Sequence, residues 1–133
     1  TCGAVPPEHI YLIKPYADLL LFDIKDTVGE RLRRNTGADL DVILRNLVYA
    51  DDLGIPTRLR LPIIAGINDN EVHILAVRNL LRRLRHCTGA DILPYHPYMA
   101  SKYNALGLVC DILSDSYIPK TETLARLREI LDN

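Results

Sequence analysis

Two kinds of hydrophobic spacing alternate along the chain. Asp18-Leu19-Leu20-Leu21-Phe22-Asp23-Ile24-Lys25 is a near-continuous apolar run, the pattern of a strand covered on both faces, as in a parallel sheet. Leu40, Ile43, Leu44 and Leu47 then recur at helical spacing behind Asp39, a plausible N-cap. Gly54 can close that helix in the left-handed conformation, and Pro56 bars its continuation. Thr57 to Ile64 reads as a second strand and Gly66-Ile67-Asn68-Asp69 as a turn. Asn68 or Asp69 can cap a helix over about 70–86, with Val77, Leu80, Leu81 and Leu84 on one face. Asp91 to Tyr95 is a short third strand, 101–107 a loop or short helix, and a last helix starts near Pro119 with Leu124, Leu127 and Leu131 as its stripe. At the front, Pro6, Pro7 and Glu8 suit the first turn of a short helix over about 7–14, which ends before Pro15.

The order α-β-α-β-α-β-α predicts an α/β fold of alternating βα units, with parallel strands joined by right-handed crossovers. The 133 residues are one domain's worth. Three strands make a small sheet, and covering both of its faces would need more helices than this chain supplies.

Composition narrows the classes of function. Sixteen Lys+Arg against 17 Asp+Glu leave a net charge of −1, so no overall field draws the chain to nucleic acid or an acidic membrane. Unbroken apolar stretches are as short as Leu19 to Phe22, too short to span a bilayer. Cys2, Cys87 and Cys110 have no metal-ligand spacing, and an odd count without a secretion signal reads as free thiols in a reducing cytoplasm. There is no GxxxxGK[ST], GxGxxG or GxSxG element.

Candidate chemistry falls at the strand ends, where α/β folds collect it. Asp23 and Lys25 share one face of the first strand. They are either a plain strand-end ion pair or a clamp for both ends of a zwitterion. Arg60, with Arg58 on the same face of the second strand, needs a partner, either Asp23 or a ligand carboxylate. Arg58, nearer the strand start, reads as a surface residue. His96 ends the third strand and can donate to a ribose hydroxyl, do acid–base work or simply sit in a loop, with Tyr95, Tyr98 and Tyr103 nearby. His9, His73 and His86 fall in helical segments and read as surface groups, and the Arg78/Arg82/Arg85 stripe reads as a solvated face.

Taken in order, Thr1-Cys2-Gly3, Asp18 to Lys25, Thr36-Gly37, Ile43 to Leu47, Arg58 to Asp69, Leu93-Pro94-Tyr95-His96, Lys102-Tyr103 and Leu106-Gly107 form a familiar series. It resembles the C-terminal half of a glycyl-radical-enzyme activating enzyme of the pyruvate formate-lyase activase type, in the radical S-adenosylmethionine superfamily. The resemblance implies the C-terminal part of a partial (β/α)₆ TIM-like barrel. It also implies a [4Fe–4S] cluster that reduces S-adenosylmethionine, giving a 5′-deoxyadenosyl radical that takes hydrogen from a glycine of a partner glycyl-radical enzyme. By resemblance, Lys25 meets the ligand carboxylate and Asp23 sets a bound cation or the local charge. Arg60 faces S-adenosylmethionine, His96 its ribose, and Pro62 and Leu93 line the pocket.

The family's CxxxCxxC loop and Gly-Gly-Glu stretch are absent, as is the acidic residue expected just before Thr1, and Met99 stands where relatives tend to have Gly. The expectation is a truncated barrel that lacks its cluster-binding half, cannot hold the cluster, is inactive alone and associates through an exposed sheet edge. Two other functions compete: a barrel-type lyase with Lys25 as Schiff-base nucleophile, and a non-catalytic interaction domain that docks through the arginine stripe.

Overall fold

A computed structural model describes residues 1–109 and 114–133. The core is a three-stranded parallel sheet in the order β1 (Leu20–Asp23), β2 (Thr57–Ile63), β3 (Cys87–Pro94). Helices α1 (Pro7–Ile13), α2 (Gly29–Thr36), α3 (Leu40–Asp52), α4 (Glu71–Leu81), α5 (Ala100–Ala105) and α6 (Thr121–Asp132) make up the rest, with short 3₁₀ turns between some of them. This is the predicted alternating α/β class with parallel strands. The sheet is open, and no described helix is long and apolar enough to cross a membrane.

The strands are covered on one face. Along β2, Thr57, Leu59, Leu61 and Ile63 are buried while Arg58, Arg60 and Pro62 are half-buried. Phe22, Leu47, Ile74, Val77 and Leu127 complete the core on the buried side. The reading of residues 18–25 as covered on both faces is therefore corrected: Leu21 is 40 % exposed and Leu19 47 %. One side of β1 and β2 is buried and the other stays partly open. The outer edge of β1 carries the first residues instead, with the Thr1 amino group donating to Leu21 O (3.0 Å) and Asp23 N–H to Thr1 O (2.7 Å).

Local signals account for most element boundaries. Asp39 caps α3, its carboxylate accepting from Asp41 N–H (2.9 Å) and Val42 N–H (3.4 Å), and Gly54 follows the helix at φ +74°. Asn70, rather than Asn68 or Asp69, caps α4 through His73 N–H (3.1 Å). That helix stops at Leu81, not near 86. The buried Asp51 carboxylate accepts from Arg85 N–H (3.0 Å) and His86 N–H (2.6 Å), which turns the segment into β3. As a result β3 begins at Cys87, four residues before the expected start. α2 was absent from the sequence reading because it buries a single residue, Leu32, and so gives no apolar period.

One surface reading is overturned. His73 is completely buried, because it stands at the start of α4 directly over the turn that follows β1. The arginine stripe is solvent-exposed at Arg82 and Arg85, as expected of a solvated face, and half-buried at Arg78, and each of its guanidinium groups also finds an acceptor. Arg78 Nη1 donates to Ile130 O (3.2 Å), Arg82 Nη2 to Asn133 O (3.1 Å), and Arg85 pairs with Asp52 (2.8 Å). These carbonyls are the unsatisfied acceptors at the end of α6, which attract cations.

Candidate functional site

The parallel register places side chains of the three strands in rows on the uncovered face. Asp23 lies beside Arg60 and Arg60 beside Asp91, and one step further Pro62 lies beside Leu93. Asp23 Oδ1 accepts from Arg60 Nε at 2.7 Å, and Lys25 Nζ stands 3.7 Å from Asp23 Oδ2. Three of the four charged or polar candidates thus form one cluster at the carboxyl ends of β1 and β2. The cluster is half-buried, with Lys25 the more open side chain at 41 % and Asp23 at 19 %.

Arg58 and Asp91 form their own pair through Nε–Oδ2 (2.6 Å) and Nη2–Oδ1 (2.5 Å). Arg58, read from the sequence as a surface residue, keeps 36 % of its side chain exposed and is taken up by Asp91. Hydrogen bonding to Arg58 holds the Asp91 carboxyl below its ordinary range and raises the guanidinium in turn. This pairing leaves Arg60 alone to face Asp23. The Arg60 Nη groups have no protein partner among the described residues. Two cations around one carboxylate leave the cluster with a surplus positive charge, and the vacant guanidinium edge suits a carboxylate.

His96 stands apart from this cluster. It is exposed beyond the end of β3, its ring 4.4 Å from that of Tyr98, and no hydrogen bond or ion pair joins it to Asp23, Lys25 or Arg60. Leu93 is 39 % exposed beside half-buried Pro62. The side chain of Met99, like Cys110, lies outside the described residues. A groove of about 660 Å³ lined by Gly29, Arg33 and Asp39 shares no residue with the cluster.

The turn after β1 contains the groups that sequence reasoning missed. Asp26 is buried, accepts from Val28 N–H (3.0 Å) and from Arg31 Nη2 (2.8 Å), and pairs with Arg31 Nε as well. Burial opposes its charge, but the Arg31 and Val28 hydrogen bonds outweigh that and lower its pKa. Thr27 Oγ1 meets His73 Nδ1 at 3.1 Å. Burial, opposed by Asp26 and assisted by Arg31, pushes His73 down to about 4.

A cubane iron–sulfur cluster requires several converging thiolates. Cys87 lies at the start of β3 and Cys2 beside β1, and among the described residues no three His, Cys, Asp or Glu side chains gather as a metal site. These residues do not fit the cluster. The Asp23–Lys25–Arg60 cluster, by contrast, sets two cations and a carboxylate side by side.

No family model matches the chain. The choline trimethylamine-lyase activating enzyme of Oleidesulfovibrio alaskensis is 31 % identical over 134 residues, covering 95 % of this chain and 43 % of that protein. The isethionate sulfite-lyase activating enzyme of Nitratidesulfovibrio vulgaris is 35 % identical over 108 residues, covering 80 % and 34 %. The chain belongs to the family of glycyl-radical-enzyme activating enzymes. It spans less than half the length of these curated relatives. The family's fold agrees. A domain of pyruvate-formate lyase-activating enzyme from Bacteroides vulgatus superposes with a TM-score of 0.75 at 24 % identity, over 94 % of this chain and 68 % of that one. A radical SAM methyltransferase from Sphaerobacter thermophilus gives 0.60 at 18 % identity, over 96 % and 35 %.

Proposed function

We propose that the uncovered face of the sheet is one side of an S-adenosylmethionine site, within a partial barrel of which this chain supplies the C-terminal strands. The observation that carries the reading is Asp23 held between Arg60 (2.7 Å) and Lys25 (3.7 Å) at the carboxyl ends of two parallel strands, with a guanidinium edge vacant. Lys25 and that edge receive the methionyl carboxylate, and Asp23 balances their charge. Pro62 and Leu93 offer the apolar floor beside them, and His96 meets the ribose from the loop after β3.

When bound, S-adenosylmethionine supplies the hydrogen-abstracting chemistry, directed at a glycine of a partner glycyl-radical enzyme in the cytoplasm. The role of this chain's described residues stops at binding and orienting that ligand, since they do not fit the cluster. The Schiff-base alternative lacks support. Lys25 is open to solvent and its nearest charge is a carboxylate, the opposite of the apolar or cationic surroundings that activate such a lysine. The docking alternative has less to support it, since Arg78 and Arg82 already donate to carbonyls at the end of α6 and Arg85 to Asp52.

The test is a ¹H–¹⁵N NMR titration of the chain with S-adenosylmethionine. Saturable shifts at Asp23, Lys25, Arg60 and Leu93, abolished in Arg60→Met, are expected. Absence of saturable shifts in the unaltered chain up to about 5 mM ligand, past the weakest affinity worth calling binding, overturns the reading.

A further inference from the structure

The β1–β2 ladder is interrupted beside the proposed site. Ile24 N–H donates to Arg60 O at 2.9 Å. In a parallel ladder the next bond would come from the amide of residue 62, but Pro62 has no N–H. The ladder therefore ends at the Ile24–Arg60 bond, and the rung beyond it, beside Lys25, is missing.

Asn68 bridges the gap. Its side chain is buried, with Nδ2 donating to Lys25 O and to Pro62 O, both at 2.7 Å, while Oδ1 accepts from Ile64 N–H at 2.8 Å. Both amide hydrogens and the carbonyl oxygen are thus used on backbone of the two strand ends. The chain reaches this point by folding back after β2, with Ile67 N–H and Asn68 N–H both directed at Ile64 O (3.1 and 3.3 Å) and Gly66 at φ +74°. A few residues on, His73 holds Thr27 at 3.1 Å, so the segment that follows Lys25 is gripped from the same side.

We propose that Asn68 is a positioning residue for the Asp23–Lys25–Arg60 cluster, replacing the ladder bond that Pro62 cannot make; the inference rests on the reading of that cluster as the S-adenosylmethionine site. Asn68 acts through backbone contacts, to Lys25, Pro62 and Ile64. It fixes the Lys25 backbone relative to β2, and with it the reach of the amine to Asp23.

The experiment compares the unaltered chain with Asn68→Ala, Asn68→Thr and the control Thr57→Ala, a buried substitution at the opposite end of β2. Two quantities are read by NMR: the affinity for S-adenosylmethionine, and amide hydrogen exchange at Ile24 and Ile64 against Val77 inside α4. N68A is expected to weaken affinity by about tenfold or more, as misplaced binding groups do. It should also speed exchange at Ile24 and Ile64 while leaving Val77 unchanged. N68T restores one donor and should fall between; if N68A does not fold, N68T against the unaltered chain carries the comparison. T57A should keep the affinity. Undiminished affinity in the Asn68 variants overturns the positioning role, as does exchange that rises equally at Val77, the mark of general loosening. No binding by the unaltered chain would instead overturn the site reading on which the inference stands.

Discussion

His73 is a neutral imidazole locked in a core that an acidic solution should try to charge. Its side chain is fully buried, Thr27 Oγ1 is 3.1 Å from Nδ1, and Nε2 has no hydrogen-bond partner among the described residues. Protonation would place an imidazolium there with nothing to accept from Nε2, between Asp26, which favours the charge, and Arg31, which opposes it. The unfolded chain takes up this proton near 6.5, the folded chain only near about 4. Between those values the unfolded state holds more protons, so stability falls as the pH falls, and the loss ends below the folded value. The interval corresponds to about 3 kcal/mol, a large part of the roughly 5–15 kcal/mol that holds a domain together. Urea unfolding followed by far-UV circular dichroism from about pH 7 to about pH 4.5 measures it. His73→Leu removes the titrating group and should flatten the profile over this range. A flat profile in the unaltered chain, or an undiminished slope in the variant, would refute the reasoning.

Three further outcomes follow from the packing. Gly3→Ala places a Cβ 2.2 Å from Phe22 Cζ at a backbone φ of +68° and should cost about 3 kcal/mol from overpacking and strain together; a thermal midpoint lowered by less than about 2 °C would contradict this. Asp26→Ala strands the Arg31 guanidinium and the Val28 N–H, for an expected loss of about 3 kcal/mol in urea unfolding near neutral pH. Because the folded-state pKa of Asp26 is depressed, its contribution is present above its ordinary 3.8 and disappears only as the pH falls below that value, a window distinct from that of His73. Anaerobic reconstitution of this chain with iron and sulfide should leave no stoichiometric cubane absorption, and a full-occupancy cluster spectrum would show that the cysteines converge after all.

Some elements were legible because their signals are local. Asp39 reads as a cap, and a cap depends only on the two or three amides after it. Leu40, Ile43, Leu44 and Leu47 read as a helix face because their period is helical. α2 gave no such signal, with one buried leucine among polar neighbours. The end of α4 was misjudged because it is decided by Asp51, more than thirty residues away in sequence. At the candidate site, Asp23, Lys25 and Arg60 could be chosen by strand parity, but the competition between Asp23 and Asp91 for the two arginines could not. The latter depends on the register of β3.

The sequence by itself determined the alternation of strand and helix, the parallel class and the presence of opposite charges at strand ends, since periodicity and chain order act over a few residues. Only the tertiary structure decided which face of the sheet is left open, that Asp23 sits between two cations, that His73 is buried and that Asn68 spans the gap at Pro62. A polar side chain has the same symbol whether it meets water or bolts two strands together, and the difference is set by partners that only folding brings within reach.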